Sequence, residues 1–163
     1  GEIGEVAVRA PANMLGYWKN PEATTKTLRD DGWLLSGDAG YLDEDGYLFI
    51  HDRIKDMIIS GGENVYPAEV ENALYAHPAI REAAVIGVPD ARWGEAVRAV
   101  VTLKPDATLD EKEVLGWMRG KLAAFKCPKA IDVIDVMPRN ASGKLLKRDL
   151  RAPHWEGRER QVN

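Results

Sequence analysis

The order of hydrophobic and polar positions predicts a succession of short strands and helices. Residues 5–10, EVAVRA, alternate between apolar and polar side chains with the period of a β-strand. Short apolar runs predict further strands at residues 56–60, 82–88, 97–103 and 130–136. Strands interspersed with helices in this way indicate a small α+β domain, with a short central β-sheet and flanking helices.

Three segments have the features of helices. Asn20 can cap a short helix that begins at Pro21 and ends near Leu28. Pro67 opens a second helix, and Thr108 with Glu111 predicts a capping box for a third. The apolar positions that face inward from the second and third helices are Val70, Ala73, Leu74, Val114, Leu115, Met118 and Leu122.

Two turns divide these elements. Residues 41–50, YLDEDGYLFI, place two apolar runs around a polar turn that ends at Gly46, which predicts a β-hairpin. Residues 61–64, GGEN, predict another turn after the strand at 56–60. We therefore expect a first unit at residues 1–53 and a second, α+β unit at residues 54–163.

Composition narrows the class of protein. The chain has 163 residues, of which 45% are hydrophobic and 29% charged, as in globular proteins, and no apolar run is long enough for a transmembrane segment. Cys127 is the only cysteine and the three histidines are scattered, so we predict no metal site. A single cysteine fits a reducing, cytoplasmic compartment. Because the chain begins without Met, we expect it to be a fragment.

Charge is unevenly distributed along the chain. From Lys121 to the end there are ten Lys and Arg against five Asp and Glu, although the whole chain has a net charge of −4. A basic C-terminal region indicates an anionic small molecule such as a phosphate or nucleotide, or simply a solvated face. Because aromatic and basic residues do not alternate, we predict no nucleic-acid partner.

One lysine becomes informative only in combination with other segments. Lys144 lies in the polar segment PRNASGKLLKR, residues 138–148, where a lysine is usually a solvated side chain. Two segments precede it, GWLLSGDAG at residues 32–40 and DRIKDMIISGGENVYPAEVE at residues 52–71. In this order and spacing the three resemble the C-terminal third of the acyl-adenylate-forming enzymes, which include acyl-CoA synthetases, peptide-synthetase adenylation domains and beetle luciferases. SGGENVYPAEVE is most similar to the fatty-acid and aryl acyl-CoA synthetases.

The resemblance implies a reaction in two steps and a mobile domain. A carboxylic acid attacks the α-phosphate of ATP to give acyl-AMP and pyrophosphate, and a thiol, usually that of coenzyme A, then displaces AMP. Between the steps the C-terminal domain rotates about a hinge. Residues 1–53 would be the terminal strands and hairpin of the large N-terminal domain, and residues 54–163 the mobile C-terminal domain.

The resemblance also assigns roles in the first step. Lys144 matches the adenylation lysine, and an ammonium on a flexible stem can bridge the carboxylate and the α-phosphate. Asp38 matches the aspartate of the family's TGD motif, with Ser36 in place of Thr, and its carboxylate would accept bonds from the ribose hydroxyls. Arg53 matches the arginine that also reaches the ribose.

The hinge and the thiol-transfer residues follow in the same way. Lys55 falls at the family's hinge position, and an ordinary surface lysine is the alternative. The resemblance implies that the loop Gly61, Gly62 and Glu63 lines the channel for the pantetheine arm, whereas the sequence by itself favours a plain hairpin turn. Phe125, Lys126 and Lys129 lie where relatives contact the nucleotide end of coenzyme A, through stacking on adenine and contacts with phosphates.

The resemblance locates other parts of the enzyme upstream. The phosphate loop, the acyl pocket and the glutamate that binds Mg²⁺ have no match in this sequence, so the chain alone is expected to be inactive. The implied whole protein is an AMP-forming acyl-CoA synthetase for a fatty or aryl acid. Two alternatives stay open, a peptide-synthetase-type adenylation domain that acts on a carrier protein and a non-catalytic module that binds nucleotide or coenzyme A.

Overall fold

The computed structural model describes residues 1–158. Their contacts divide the chain into two compact units, Gly1–Lys55 and Asp56–Asn163. The boundary thus lies between Lys55 and Asp56, whereas the sequence predicted it between residues 53 and 54.

The first unit is a three-stranded antiparallel sheet with one short helix. The strands β1 (Gly4–Val8), β2 (Leu34–Leu42) and β3 (Leu48–Arg53) pair in that order. The helix α1 (Pro21–Thr27) has Pro21 in its first turn, and the Asn20 side chain accepts a hydrogen bond from the Ala23 amide, which confirms the predicted cap. The hairpin predicted at residues 41–50 is also confirmed, but its strands extend further in both directions.

The first unit has almost no core of its own. Ala39 is the only apolar residue among Gly1–Lys55 that is buried, while Leu42, Leu48, Phe49 and Ile50 on the hairpin are exposed. Tyr41 and Phe49 stack with ring centroids 5.1 Å apart, which covers only part of this apolar surface. The unit therefore lacks the buried area that usually stabilises a sheet of this size.

The second unit is a mixed α+β domain, which confirms the predicted fold class. After a 3-10 turn at Ile54–Asp56, its elements follow the order β4 (Ile58–Ser60), β5 (Glu63–Val65), α2 (Pro67–Tyr75), β6 (Ile80–Asp90), β7 (Gly94–Leu103), α3 (Glu111–Arg119), β8 (Ala130–Val133) and α4 (Lys147–Arg151). The strand β7 is central, because β6 pairs along its length on one edge while β4 and β8 share the other. Only β8 runs parallel to β7.

Alternation along β6 and β7 divides the buried side chains between two faces of the sheet. One face packs Val85, Val97 and Ala99 against residues of α2 and α3 such as Leu74 and Met118. The opposite face packs Ile86 and Val100 against Met137, with Leu145 and Leu150 alongside. Since both faces are covered, the run AAVIGV is apolar at consecutive positions rather than alternate ones.

Side chains cover the outer edge of β6. Tyr75 donates its hydroxyl to the Ala83 carbonyl at 3.3 Å, and the Glu71 carboxylate accepts the Val85 amide at 2.7 Å. The indole nitrogen of Trp155 donates to the Gly87 carbonyl at 2.9 Å. Edge strands commonly need such protection, because their backbone groups would otherwise stay unpaired.

Two predicted details are wrong. The helix α3 is capped by Asp110, whose side chain accepts the Lys112 and Glu113 amides, and not by Thr108. The Glu111 carboxylate instead accepts the Ile131 amide at 3.0 Å, so no capping box forms. The strand predicted at residues 130–136 ends at Val133, because Ile134 continues with a single bond to Val101 and the chain then leaves the sheet.

Membrane insertion through a helix has no structural support in the part of the chain that is described. None of the helices within residues 1–158 combines the length and the apolar character that a bilayer crossing requires.

Candidate active site

Asp38 and Arg53 form an ion pair in the first unit. They are paired residues on the adjacent strands β2 and β3, and the Arg53 Nε lies 3.4 Å from the Asp38 Oδ1. Both side chains remain partly exposed, so the carboxylate and the guanidinium can still bind a polar ligand. Asp38 lies within β2, which begins before the hairpin predicted at residues 41–50.

A bulge in β2 sets the position of Asp38. Between Glu5 and Ala7 the register with β2 shifts from Ala39 to Leu35, so extra residues of β2 oppose one residue of β1. Gly37 has a φ of 75° in this bulge, and its amide donates to the Glu5 carboxylate at 3.1 Å. Glu5 was missed by the sequence analysis, because nothing in EVAVRA distinguishes it from a solvated strand residue.

Lys144 lies on an ordered hairpin of the second unit rather than on an irregular loop. Arg139 and Leu145 form an antiparallel bridge, and the Asn140 amide donates to the Lys144 carbonyl at 3.0 Å. The Gly143 amide closes the turn on the Asn140 carbonyl at 2.9 Å, with Gly143 at a φ of 82°. The Lys144 side chain is exposed, and its ammonium makes no ion pair with any residue in the range 1–158.

Two side chains that the sequence analysis did not single out organise this hairpin. The Asn140 Oδ1 accepts hydrogen bonds from the Ser142 amide, the Ser142 hydroxyl and the Lys144 amide, at 3.1, 2.8 and 2.8 Å. Arg139 donates to the Gly143 carbonyl at 2.8 Å and also pairs with Glu82 on β6. The asparagine in PRNASG is a recognisable turn residue, and this signal could have identified it.

The glycines of SGGEN form a tight hairpin turn between β4 and β5. Gly61 and Gly62 both have positive φ angles, 63° and 87°, as a type I′ turn requires. The Gly61 amide donates to the Trp93 carbonyl at 2.9 Å, and a Cβ added at Gly61 would lie 2.7 Å from the Trp93 ring. Glu63 begins β5 and is exposed.

A cleft of about 460 Å³ lies beside this turn in the second unit. Gly62, Trp93, Glu95 and Trp155 contribute to its walls. The Trp93 ring is also covered by the Arg92 guanidinium at 4.5 Å from its centroid. A cleft with aromatic walls and a few charged groups can accept a partly apolar, partly polar ligand.

Phe125, Lys126 and Lys129 lie in the segment that joins α3 to β8. The Lys126 ammonium binds both oxygens of Glu69, at 2.8 and 2.7 Å, which ties this segment to the first turn of α2. Phe125 is exposed with Lys126 at 5.7 Å from its ring centroid, and Lys129 is exposed as well. Cys127 between them is buried, and burial raises the pKa of its thiol.

Lys55 lies in the 3-10 turn at the boundary between the two units. It is exposed, and Asp56 follows it as the first residue of the second unit. Within residues 1–158 no group of three or more His, Cys, Asp or Glu side chains is arranged to hold a metal ion.

Comparison with known families gives a match in the second unit. Residues 69–144 match the family described as AMP-binding enzyme C-terminal domain. This match begins at Glu69 in α2 and ends at Lys144.

Curated relatives are similar over nearly the whole chain. A fatty acid–[acyl-carrier-protein] ligase from Streptomyces coeruleorubidus is 50% identical over 163 residues, which are 100% of this chain and 31% of the relative. A feruloyl-CoA synthase from an Amycolatopsis species is 53% identical over 93% of this chain and 30% of its own length. A long-chain-fatty-acid–CoA ligase from Bacillus subtilis is 51% identical over 91% of this chain and 26% of its own. The chain therefore spans about a third or less of these proteins.

Solved structures have the same fold. The ATP-bound MatB from Rhodopseudomonas palustris aligns with a TM-score of 0.87 and 47% identity, over 94% of this chain and 30% of its own. An o-succinylbenzoate CoA synthetase from Bacillus subtilis, in complex with its acyl-adenylate intermediate, aligns with a TM-score of 0.85 and 43% identity over 91% of this chain and 30% of its own.

Proposed function

We propose that the whole protein is an ATP-dependent acyl-CoA synthetase, because this chain belongs to the acyl-adenylate-forming enzymes and contains the AMP-binding enzyme C-terminal domain. Its substrate is a carboxylic acid, of the fatty or aryl class that the names of the relatives indicate. The carboxylate attacks the α-phosphorus of ATP and releases pyrophosphate. The thiol of coenzyme A then attacks the acyl carbon and AMP leaves.

The observation that carries this proposal is that Lys144 has an ordered backbone and an exposed side chain. The hairpin fixes the backbone of this residue while the ammonium stays exposed and without an ion pair among residues 1–158. A fixed cation that is not neutralised by its own domain can stabilise the negative charge that develops between carboxylate and α-phosphate. An adenylation lysine needs this arrangement, whereas a merely solvated lysine does not need an ordered backbone.

In the first unit, Asp38 and Arg53 would bind the ribose of ATP. Their ion pair holds the carboxylate of Asp38 in one place, so it can accept hydrogen bonds from two adjacent hydroxyls. We assign Mg²⁺ and most other contacts with ATP to the part of the protein that this chain does not cover, together with the acid-binding pocket. The first unit would then be the end of that larger N-terminal domain, and its burial of a single apolar residue, Ala39, supports this assignment.

For the second step we propose that the second unit rotates about Lys55 and presents the turn Gly61, Gly62 and Glu63 to the pantetheine arm. Phe125 and Lys129 would contact the nucleotide end of coenzyme A. Lys126 is the weaker candidate of the two lysines, because Glu69 already holds its ammonium and would have to release it. A buried, unpaired cysteine fits a reducing compartment, and we place the reaction in the cytoplasm.

A second acceptor is favoured by one specific observation. One relative that is similar over all of this chain is named a fatty acid–[acyl-carrier-protein] ligase. In that case the thiol belongs to the phosphopantetheine of a carrier protein, and the first step is unchanged. The non-catalytic alternative, a module that binds nucleotide or coenzyme A, would have to bind without the rest of the protein.

The test is pyrophosphate release by the full-length protein with ATP and a panel of fatty and aryl acids. We expect acid-dependent release by the full-length protein and none by the present chain, followed by transfer to coenzyme A. Transfer to a phosphopantetheinylated carrier protein in place of coenzyme A would identify the second acceptor. A full-length protein that releases no pyrophosphate with any acid, while the present chain binds coenzyme A in a titration, would support the module instead.

A further inference from the structure

The helix that follows Lys144 is too short to hold its own position. Only Leu145 and Leu146 separate Lys144 from α4, which has five residues and no side-chain cap at its start. Helices of this length are not stable in isolation, because the free energy cost of nucleating a helix exceeds the stabilisation that a single turn provides. Contacts with the rest of the second unit must therefore fix α4, and they also restrain the segment that joins Lys144 to this helix.

Lys147, the first residue of α4, makes the ion pair that lies nearest to Lys144 along the chain. Its ammonium lies 2.7 Å from the Glu71 Oε1, and the exposed fractions of the two side chains are only 17% and 15%. The same oxygen accepts the Val85 amide at 2.7 Å. One carboxylate thus joins the start of α4 to both α2 and the edge of β6.

The other end of α4 is held in a similar way. Arg151 lies 3.5 Å from the Asp56 carboxylate, with exposed fractions of 16% and 15%. Leu150 packs against the buried cluster that contains Ile86 and Met137. These two ion pairs are the least exposed among the described residues, and charge pairs shielded from water interact more strongly than exposed ones.

We propose that Lys147, held by Glu71, is a positioning residue for Lys144 in the adenylation step. This inference rests on the proposed function. Lys147 itself does not reach the reacting atoms, because its ammonium is bound within the domain. Its effect is to hold the first turn of α4 against α2 and β6, so that the segment from Lys144 to Leu146 enters the helix in one direction.

The expected consequence is confined to one half of the reaction. A displacement of a catalytic group by about 1 Å can lower a rate by about 100-fold, and adenylation depends on Lys144. Transfer to the thiol does not use Lys144 in the proposed mechanism. Loss of the Lys147 contact should therefore lower adenylation and leave the second step nearly unchanged.

The experiment compares Lys147→Met with Lys147→Arg in the full-length protein. We expect Lys147→Met to lower the single-turnover rate of adenylation by about tenfold, with the KM for ATP within about threefold and transfer from synthetic acyl-AMP within about threefold. Lys147→Arg keeps the charge and should restore adenylation to within about threefold of the wild type. Glu71→Gln keeps an oxygen for the Val85 amide, and we expect an intermediate loss.

Arg148→Met is the matched control. Arg148 is the next residue on the same helix, 81% of its side chain is exposed, and it contacts only Asp149 at 3.3 Å among the ion pairs of residues 1–158. Equal losses for Lys147→Met and Arg148→Met, equal losses in both half-reactions, or no loss in a folded Lys147→Met protein would each overturn the proposal. Thermal melting shows whether each variant is folded.

Hydrogen exchange tests the same coupling without an activity measurement. In Lys147→Met the Gly143 and Lys144 amides, which bind Asn140 in the wild type, should exchange faster than in Arg148→Met. Unchanged exchange at these two amides would refute the coupling. A wild-type protein with no adenylation activity would refute the proposed function instead, and the exchange result would still decide whether Lys147 holds the hairpin.

Discussion

Three donors converge on one side-chain oxygen in the hairpin that carries Lys144. Because the Asn140 Oδ1 accepts from Ser142 twice and from Lys144 once, the backbone is fixed around the lysine while the side chain stays free to reach a ligand. A flexible stem on a fixed base is suited to a group that must meet two anions. If Lys144 is the adenylation lysine, removal of its side chain should impair adenylation without disturbing the hairpin backbone.

Lys144→Ala in the full-length protein should abolish most of the adenylation rate. One preorganised charge at a reacting centre typically contributes about 100- to 1,000-fold, and the exposed side chain contributes little to stability. Transfer from synthetic acyl-AMP should be retained, because the lysine is not used in that step. The measurement is the single-turnover rate of each half-reaction, and equal losses in both would mean that Lys144 is structural or binds a ligand shared by the two steps.

At the scale of elements, the turn between β4 and β5 depends on two glycines for different reasons. Both have positive φ, but an added Cβ at Gly62 meets no atom within 4 Å, whereas at Gly61 it would overlap the Trp93 ring. The close approach of Gly61 to Trp93 is thus a packing requirement in addition to a backbone requirement.

Gly61→Ala should therefore destabilise the chain more than Gly62→Ala. We expect about 1–2 kcal/mol for Gly62→Ala from the left-handed backbone alone, and about 1–3 kcal/mol more for Gly61→Ala from the overlap. Urea unfolding of the two variants measures the difference, and adding Trp93→Ala should remove most of it. Equal losses in free energy of unfolding would show that Trp93 moves aside without cost.

The strand β8 is attached to β7 by one ion pair as well as by its backbone. Arg98 binds Asp132 with two hydrogen bonds of 2.5 and 2.7 Å. The hydrogen bond from Arg98 is the largest cause that lowers the pKa of Asp132 below its ordinary 3.8. A carboxyl with a lowered pKa in the folded state stabilises the fold at pH values above its unfolded pKa, and the contribution is lost as the pH falls through the folded pKa.

Asp132→Asn should lower the free energy of unfolding at pH 7 by about 1 kcal/mol or less, because the pair is partly exposed and screened by water. The difference from the wild type should narrow as the pH falls below about 4, where the unfolded carboxyl is already protonated. Urea unfolding at pH 7, 4 and 3 gives this difference directly. Asp135→Asn, an exposed position on the following segment, is the control, and a gap that stays constant down to pH 3 would contradict the assignment.

The sequence predicted the elements that local patterns specify, and it missed those that distant contacts decide. Asn20 with Pro21 marked the start of α1, and the apolar run at 82–88 marked β6, because both signals lie within a few residues. The local pattern predicts Thr108 as the cap of α3, but Asp110 caps this helix. A capping box would also need the Glu111 carboxylate, which instead accepts the amide of Ile131, twenty residues away. Asn140 gave the local signal of a turn residue, but Glu71 gave none for the candidate site, because its importance depends on the Val85 amide and the Lys147 ammonium that the fold brings to it.

For the whole molecule, the two units differ in how much they bury. The second unit packs both faces of its sheet, while Ala39 is the only buried apolar residue of the first. A sheet with one buried apolar side chain gains little from the hydrophobic effect and opens readily. Stability should consequently be distributed very unevenly along this chain.

Hydrogen exchange of the present chain should show this difference. We expect amides of β2 and β3 to exchange at least about 100-fold faster than those of β6 and β7, because local opening of the first unit exposes little additional apolar surface. In the full-length protein the protection of β2 and β3 should rise, since the preceding domain would cover the exposed face of the hairpin. Similar protection of both units in the present chain would contradict the proposed division.

The contacts along the outer edge of β6 also affect strand pairing between molecules of this protein. Tyr75, Glu71 and Trp155 occupy backbone groups at three alternate positions, so a strand from another molecule finds no continuous ladder to extend. Strand addition at an open edge is a common route to domain swapping and aggregation. Side chains from α2 and the Trp155 indole therefore close the longest strand of this sheet to that route.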